Sequence, residues 1–355
     1  MRPWENNIRK VIPYVPGEQP NKENMVKLNT NENPFPPAPG VREILQGLDV
    51  DRLRLYPDPA IRILVEELAD FYHMERDMVF VGVGSDDVLA TAFLTFFNSD
   101  LPILFPDVTY SFYPVWCDLF RIPYETPALD PDFRIVKEDY YKENGGVVIA
   151  NPNAPTAVYE ELSLIEDILR HNRTCVVIVD EAYIDFAGRS AVELIRQYDN
   201  LLVVQTFSKS RSMAGMRIGY AMGNPALIKA LNDVKYSINS YTLNQTAILS
   251  GAEAVKDSDY FYEGIRRIKE TRTRAEKEFS ALGFSFPGNG ANFLFVSHEK
   301  IPAKEIFKAL REKDIYVRYF DLPRIDNYLR ITIGTEEEME KLFDFLREYI
   351  KQYPM

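Results

Sequence analysis

The chain has 355 residues, 46% hydrophobic and 26% charged, the profile of a soluble globular protein with room for two lobes. Its formal net charge is −12, from 53 acids against 41 bases, so it has no global attraction for nucleic acid or an anionic membrane; any anion it binds must meet a local basic pocket. The two cysteines, Cys117 and Cys175, form no C-x-x-C pair and the three histidines are scattered, which argues against a disulfide framework and a metal centre. The N-terminus lacks an apolar leader and no run reaches membrane-spanning length, so the expected location is the cytoplasm.

The first forty residues are rich in Pro and Asn and carry few helix or strand signals. Such a segment is either a disordered arm or one that wraps over a body and lines something. Leu55-Tyr56-Pro57-Asp58-Pro59 reads as a rigid turn, followed by an amphipathic helix through Leu64, Leu68 and Phe71. Met78–Val81 reads as a strand that runs into Gly82-Val83-Gly84-Ser85-Asp86-Asp87 and then a helical pattern over 88–97. A strand, a glycine turn and a helix start present free N–H groups and a positive helix end to a phosphate, although such a turn is also often only a turn. Asp87 stands where the third glycine of G-x-G-x-x-G would be, which disfavours a dinucleotide fold.

Leu101–Phe105 is a short strand with Tyr110 just beyond it, either core packing or a stacking platform for a flat ligand. Gly146–Ala150 is another, leading into N-P-N-A-P-T. Val176–Val179 ends in Asp180-Glu181-Ala182-Tyr183, and a carboxylate there is costly to bury unless a cation meets it. A helix through Val192, Leu194, Ile195 and Tyr198 then leads to a strand at 201–204. The turn Ser208-Lys209-Ser210-Arg211-Ser212 follows, either a solvated loop or an anion site with a reactive amine, and then a strand over 217–222. Asp180 and Lys209 lie one β-α-β unit apart, so both belong at the carboxyl ends of neighbouring parallel strands, where ligands bind. Beyond Gly251 come a long charged helix (about 260–282), strands at 292–296, 315–319 and 328–333, and a helix at 303–313. The last helix opens with the capping box Thr335 to Glu338. Arg318 and Arg330 sit within these strands.

The expected fold is α/β: a large domain with a mostly parallel central sheet flanked by helices, a smaller α/β C-terminal domain and an N-terminal arm. The boundaries fall at 1–45 for the arm, packing on the small domain and active site, 46–255 for the large domain and 256–355 for the small one.

A lysine amine, a strand-end carboxylate with a tyrosine after it, an aromatic platform and a phosphate cradle at a helix start together suit pyridoxal phosphate. The lysine would bond the aldehyde, and the carboxylate would keep the ring nitrogen protonated. Ser85, Asp86, Ser208 and Arg217 are the phosphate candidates.

With these residues in view, the chain resembles the histidinol-phosphate aminotransferase family of fold-type-I pyridoxal-phosphate enzymes. The resemblance is carried by L-N-T-N-E-N-P (28–34), Y-P-D-P (56–59), G-S-D-D (84–87), T-Y-S-F-Y (109–113), N-P-N-A-P-T (151–156), V-D-E-A-Y (179–183), T-F-S-K (206–209), A-G-M-R-I-G-Y (214–220) and Y-L-R-I-T-I-G-T (328–335). It implies that Lys209 is the cofactor lysine and proton shuttle, that Asp180 pairs with the ring nitrogen, that Tyr183 touches the phenolic oxygen and that Tyr110 stacks on the ring. Ser85, Asp86, Ser208 and Arg217 would hold the phosphate, with Tyr56 reaching it from the other subunit of a homodimer. Tyr14 and Asn33 of the arm, with Arg318 and Arg330, would hold the anionic end of the substrate. Where the family carries a second asparagine before P-T-G this chain has Ala154, with Ala157 for the glycine and Asp87 for a glutamate; Asn153 is the candidate to take over the lost contact. The implied reaction moves an amino group between L-histidinol phosphate and 2-oxoglutarate. An aromatic amino-acid aminotransferase is the nearest alternative, and a phosphothreonine-type decarboxylase a more distant one. No metal, nucleic acid or membrane partner is expected.

Overall fold

A computed structural model describes residues 2–353. Strand β1 (Val26–Lys27) lies in the arm, followed by helices α1 (Pro39–Gln46) and α2 (Arg62–Phe71). The large lobe continues with β2 (Val79–Gly82), α3 (Ser85–Phe96), β3 (Ile103–Leu104), α4 (Phe112–Phe120), β4 (Tyr124–Glu125), β5 (Gly146–Ala150), α5 (Leu162–His171), β6 (Val177–Asp180), β7 (Leu201–Thr206) and β8 (Gly219–Gly223). Helices α6 (Pro225–Ile238) and α7 (Gln245–Lys256) close it. The small lobe runs through α8 (Ser258–Ala281), β9 (Phe284–Ser285), β10 (Phe293–His298), α9 (Ala303–Glu312), β11 (Ile315–Tyr316), β12 (Arg318–Tyr319), β13 (Leu329–Thr332) and α10 (Glu336–Gln352).

Seven strands form the large sheet in the order β2-β8-β7-β6-β5-β3-β4, with β8 alone antiparallel to its neighbours. Both faces are covered, so the strands read as unbroken apolar runs. Val147, Ile149, Val177, Val179, Leu201 and Val203 point into one hydrophobic layer, and Val148, Ile178, Leu202 and Val204 into the other. The register places Ala150, Asp180 and Val204 side by side, so the strands end together along one edge. A four-stranded antiparallel sheet, β12-β13-β10-β9, carries the small lobe. The arm joins it through β1, which pairs in parallel with β11, and Val26 and Leu28 are buried in its core. No helix among the described residues is long and apolar enough to cross a membrane.

Three expectations from the sequence are corrected. The strand expected over 217–222 begins at Gly219, because Arg217 adopts a left-handed backbone (φ 54°) that ends a 3-10 turn. The helix expected through Val192 and Tyr198 is a 3-10 turn, Ala191–Leu194, capped by the Ser190 side chain; β7 begins too soon afterwards for a helix to extend. The strand expected at 315–319 divides at Val317, its first half pairing with the arm and its second with β13. Helices α1, α4, α5, α6 and α7 were not anticipated.

Candidate active site

A cavity of about 300 Å³ opens at the carboxyl edge of the large sheet. Ala150, Asp180 and Thr206, the last residues of β5, β6 and β7, form its floor. The start of α3 and the 206–217 loop form one wall. Tyr14 and residues 30–32 of the arm, with Arg318, Phe320 and Arg330 of the small lobe, form the other. Its volume suits a small molecule, at the edge where open α/β sheets bind ligands.

Asp180 is 6% exposed on the floor. Its Oδ2 accepts a 2.8 Å hydrogen bond from Tyr113 and its Oδ1 a 3.3 Å bond from the Ala182 amide. Burial pushes the carboxyl up to about 6, against which these two bonds work, while Asp86 adds to the rise. No lysine or arginine pairs with it among the described residues. A buried carboxylate with donors but no cation is matched to a ligand cation. Tyr113 lies on α4 and is wholly buried; its motif was visible in the sequence, but nothing local gave it this role.

Lys209 sits in the turn after β7. Its Nζ donates to the Thr30 carbonyl at 3.2 Å and lies 5.8 Å from the centre of the Tyr183 ring, so amine and tyrosine share one side of the cavity. The turn is held from two sides. Asn33 Nδ2 donates to the carbonyls of Lys209 (2.8 Å) and Ser210 (3.3 Å), and the Ser210 hydroxyl donates to Asp185.

At the start of α3, Gly84 adopts φ 84°, a conformation glycine takes without strain. A Cβ built on Gly84 would meet the Arg217 guanidinium, and one on Gly219 would overlap the Ser85 amide nitrogen, so the two glycines let loop, helix start and arginine converge. Ser85, Asp86, Thr206, Ser208 and Arg217 all line this corner. Asp86 accepts from Tyr110 (2.8 Å) and from Arg217 (3.3 Å), fixing both side chains. The Ser208 hydroxyl lies 3.0 Å from Thr206 Oγ1, which also reaches the Ile218 carbonyl at 3.3 Å, and it lines the cavity. First-turn amides, a hydroxyl and a guanidinium form a phosphate donor set.

Across the cavity, Arg318 and Arg330 face each other in register on β12 and β13. Arg330 Nη2 donates to the Asn29 carbonyl at 3.1 Å, whereas its buried Nε has no partner among the described residues. Burial, assisted by Arg318, lowers the Arg330 proton affinity from its ordinary value. The pair therefore favours an anion between or beside it. Tyr14 reaches this side from the arm, stacked on Phe112 with centroids 4.2 Å apart.

Of the expected site residues, Lys209, Asp180, Tyr183, Ser85, Asp86, Tyr110, Ser208, Arg217, Tyr14, Arg318 and Arg330 come together around this cavity. Three do not. Asn153 faces away, its Nδ2 donating to the Val108 carbonyl (2.9 Å) and Thr156 (3.0 Å) and its Oδ1 accepting from Thr109 (2.7 Å); it braces the loop before Tyr110, while the Ala154 methyl lines the cavity. Asn33 Nδ2 holds the backbone of the lysine turn, and Asn33 is not among the residues that line the cavity. Tyr56 is 81% exposed and stacked on Tyr241 at 4.5 Å, outside the cavity of its own chain. Asn31, Thr30 and Thr206 line the cavity although sequence reasoning gave them no role.

The donor set fits the cofactor that the sequence pattern asks for. A buried carboxylate with no cation partner among the described residues can meet a protonated ring nitrogen, a lysine amine lines the same cavity, and the glycine-built corner provides phosphate donors.

The profile of the family described as aminotransferase class I and II matches residues 23–346. The chain is 49% identical over 349 residues to the histidinol-phosphate aminotransferase of Lactococcus lactis subsp. lactis (strain IL1403), covering 98% of this chain and 97% of that one. It is 47% identical over 349 residues to the enzyme of the same description from Clostridium botulinum (strain Langeland / NCTC 10281 / Type F), covering 98% and 99%. Among solved structures, the fold is similar to histidinol-phosphate aminotransferase from Sinorhizobium meliloti in complex with pyridoxal-5'-phosphate, with TM-score 0.83 and 23% identity over 91% of this chain and 90% of that one. It is also similar to the enzyme from Clostridium acetobutylicum, with TM-score 0.82 and 23% identity over 92% and 99%. At such identities the structural likeness speaks for the fold alone.

Proposed function

The chain belongs to the histidinol-phosphate aminotransferase family, within the class I and II aminotransferases, and from that premise we propose that this cavity exchanges an amino group between L-histidinol phosphate and 2-oxoglutarate in histidine biosynthesis, with pyridoxal phosphate as cofactor. What carries the reading is that one cavity gathers a lysine amine, a buried carboxylate without a cation and two facing arginines.

In this reading Lys209 would hold the cofactor covalently and Asp180 would meet its ring nitrogen. Tyr183 would face the phenolic oxygen, Tyr110 would lie on the ring, and Ser85, Ser208, Arg217 and the Asp86 amide would take the phosphate. When bound, pyridoxal phosphate supplies an aldehyde that takes up the amino group and a ring that accepts the electrons left when the substrate carbon loses its proton. The rest is work for the chain. Once the substrate's amino group has replaced it in that linkage, the freed Lys209 Nζ would take that proton from the carbon and return it, from a turn that Asn33 and Asp185 hold in place. Tyr113 keeps Asp180 oriented, and its hydrogen bond favours the ionised form that a ring cation needs. Arg318 and Arg330 grip the substrate phosphate, replacing part of the hydration that burial denies Arg330. Tyr14 and residues 30–32 of the arm line the same cavity as the two arginines. A homodimer in the cytoplasm, with Tyr56 completing the phosphate corner of the second subunit, accounts for the exposure of that tyrosine.

The visible spectrum of the purified enzyme tests the reading. Histidinol phosphate alone should bleach the yellow of the lysine-bound cofactor, and 2-oxoglutarate should restore it. Bleaching by phenylalanine or tyrosine but not by histidinol phosphate would transfer the enzyme to the aromatic amino acids. Carbon dioxide release without lasting bleaching would make it a decarboxylase.

A further inference from the structure

Asn31 has a geometry that nothing in the proposed mechanism uses. It is 2% exposed at the cavity wall and adopts φ 57°, a left-handed conformation that asparagine tolerates better than most residues. Its four polar groups are all engaged. The backbone N–H donates to Thr332 Oγ1 (3.0 Å), and the backbone carbonyl accepts from Asn292 Nδ2 (3.0 Å). The side-chain Oδ1 accepts from Thr332 Oγ1 (3.2 Å), and Nδ2 donates to the Tyr183 hydroxyl (2.9 Å).

The proton directions follow. Thr332 Oγ1 accepts the Asn31 N–H and donates the proton it carries to Oδ1. That fixes the carboxamide with its oxygen toward Thr332 and its NH2 toward Tyr183. The Tyr183 oxygen, as acceptor of that bond, keeps its own proton for an acceptor elsewhere, and no described residue takes it. Tyr183 lines the cavity, on the side of Lys209 Nζ. Ala154 lines it too and has only a methyl to offer, while the Asn153 amide is committed to Val108 and Thr156.

We infer that Asn31 is a positioning residue for the transfer reaction: through Tyr183 it aims a hydroxyl proton at the phenolic oxygen of the cofactor, the donation that Ala154 cannot make. The inference rests on the reading that Tyr183 faces that oxygen. Its chemical consequence is specific. The phenolic oxygen shares a proton with the nitrogen that joins Lys209 to the cofactor. A donor aimed at the oxygen competes for its lone pair, so that proton is held less tightly. With Asn31 in place, the linked nitrogen loses its proton at lower pH.

The test is the pH titration of the holoenzyme's visible spectrum, which reads that proton directly. Asn31→Gly removes the carboxamide and keeps the left-handed backbone free of strain. Its colour-change midpoint should rise by about one pH unit, a tenfold tighter hold on the proton. Adding Ala154→Asn, which places a donor in the cavity wall, should bring the midpoint back down. A yellow, folded Asn31→Gly enzyme with the unmodified midpoint would overturn the inference. If that variant does not fold, Thr332→Val gives a second arm, because it releases Oδ1 and with it the fixed direction of the amide. A rise in the same direction supports the inference and an unmoved midpoint overturns it. Should the unmodified enzyme show no pH-dependent colour at all, the placement of Tyr183 itself fails and the inference goes with it; a normal titration in the parent confines any failure to Asn31.

Discussion

Tyr113 and Asp180 show what one hydroxyl does in this site. The phenol donates to a carboxylate that burial pushes up to about 6, and its bond is the main force pulling the other way. Tyr113→Phe removes one oxygen from a fully buried ring and should raise the Asp180 carboxyl further. With Asp180 paired to the cofactor's ring nitrogen as proposed, the ring cation requires the ionised form, and the variant's affinity for pyridoxal phosphate should fall about fivefold near pH 6, with the deficit fading by pH 8. A spectroscopic binding titration at both pH values checks this; an equal loss at both would reduce Tyr113 to packing. Glu181, the next residue, is a separate case. Burial pushes it up to about 7, against bonds from Ser190, the Ala191 amide and Gln205. A carboxyl raised in the folded state favours folding at low pH, and that contribution is lost as pH climbs from about 4.5 through about 7. Glu181→Gln cannot ionise. Its stability relative to the unmodified enzyme should therefore improve from pH 5 to pH 8, by up to about 3 kcal/mol, measured by urea denaturation at each pH. A constant difference would mean that Glu181 stays ionised at both.

Among the elements, those that the sequence displayed best are the ones whose pattern is local. Val177–Val179 and Leu201–Val204 are uninterrupted apolar runs because both faces of their sheet are covered, and the Thr335–Glu338 box marks the start of α10 through bonds made within four residues. Helix α4 was hidden because F-Y-P-V-W-C-D-L-F is apolar on nearly every side and carries a proline in its first turn, so no amphipathic stripe marks it. The arm was illegible for another reason: β1 finds its partner β11 some 290 residues later, and no local signal specifies such a pairing. The candidate site divides the same way. Lys209, Asp180 and Arg217 stand in dense motifs, whereas the engagement of Asn33, Asn153 and Asn31 depends on which backbone each happens to meet. The arm also carries a prediction. None of residues 2–25 is buried, and the Arg311–Glu18 ion pair is exposed, where such pairs contribute little. Deleting residues 2–19 should leave the cofactor colour intact and Tm within a few degrees. It removes the Tyr14–Phe112 stack from the cavity mouth, worth about 1 kcal/mol, so KM for histidinol phosphate should rise five- to tenfold, by rough estimate, with a smaller change in kcat. A fall in Tm with unchanged KM would make the segment a structural strap.

At the scale of the molecule, the surface around Tyr56 poses a question that a single chain does not answer. Val50, Leu53, Leu55, Tyr56, Ile63, Ile238 and Tyr241 are all exposed, with Ile238 at 65% and Tyr56 at 81%. Tyr56 stacks on Tyr241 and the Tyr236 hydroxyl donates to the Pro59 carbonyl, so the turn before α2 adjoins the end of α6. An apolar surface gathered from the turn before α2 and the end of α6 favours burial against another copy. If the copy's Tyr56 completes the phosphate corner, two separately inactive variants must rescue each other. Tyr56→Ala keeps Lys209 but deprives its partner's site of a tyrosine; Lys209→Ala keeps Tyr56 but has no amine. In a mixed dimer, one site combines an intact Lys209 with an intact Tyr56 from the opposite subunit, and the other has neither. Refolding the two variants together in equal amounts makes half the dimers mixed, with one competent site in each, so activity should return to about a quarter of the unmodified value. If Tyr56 served its own chain, no pairing would create a competent site and the mixture would stay as inactive as its parts. A mass of 41.0 kDa by light scattering, the single chain, would remove the shared site altogether.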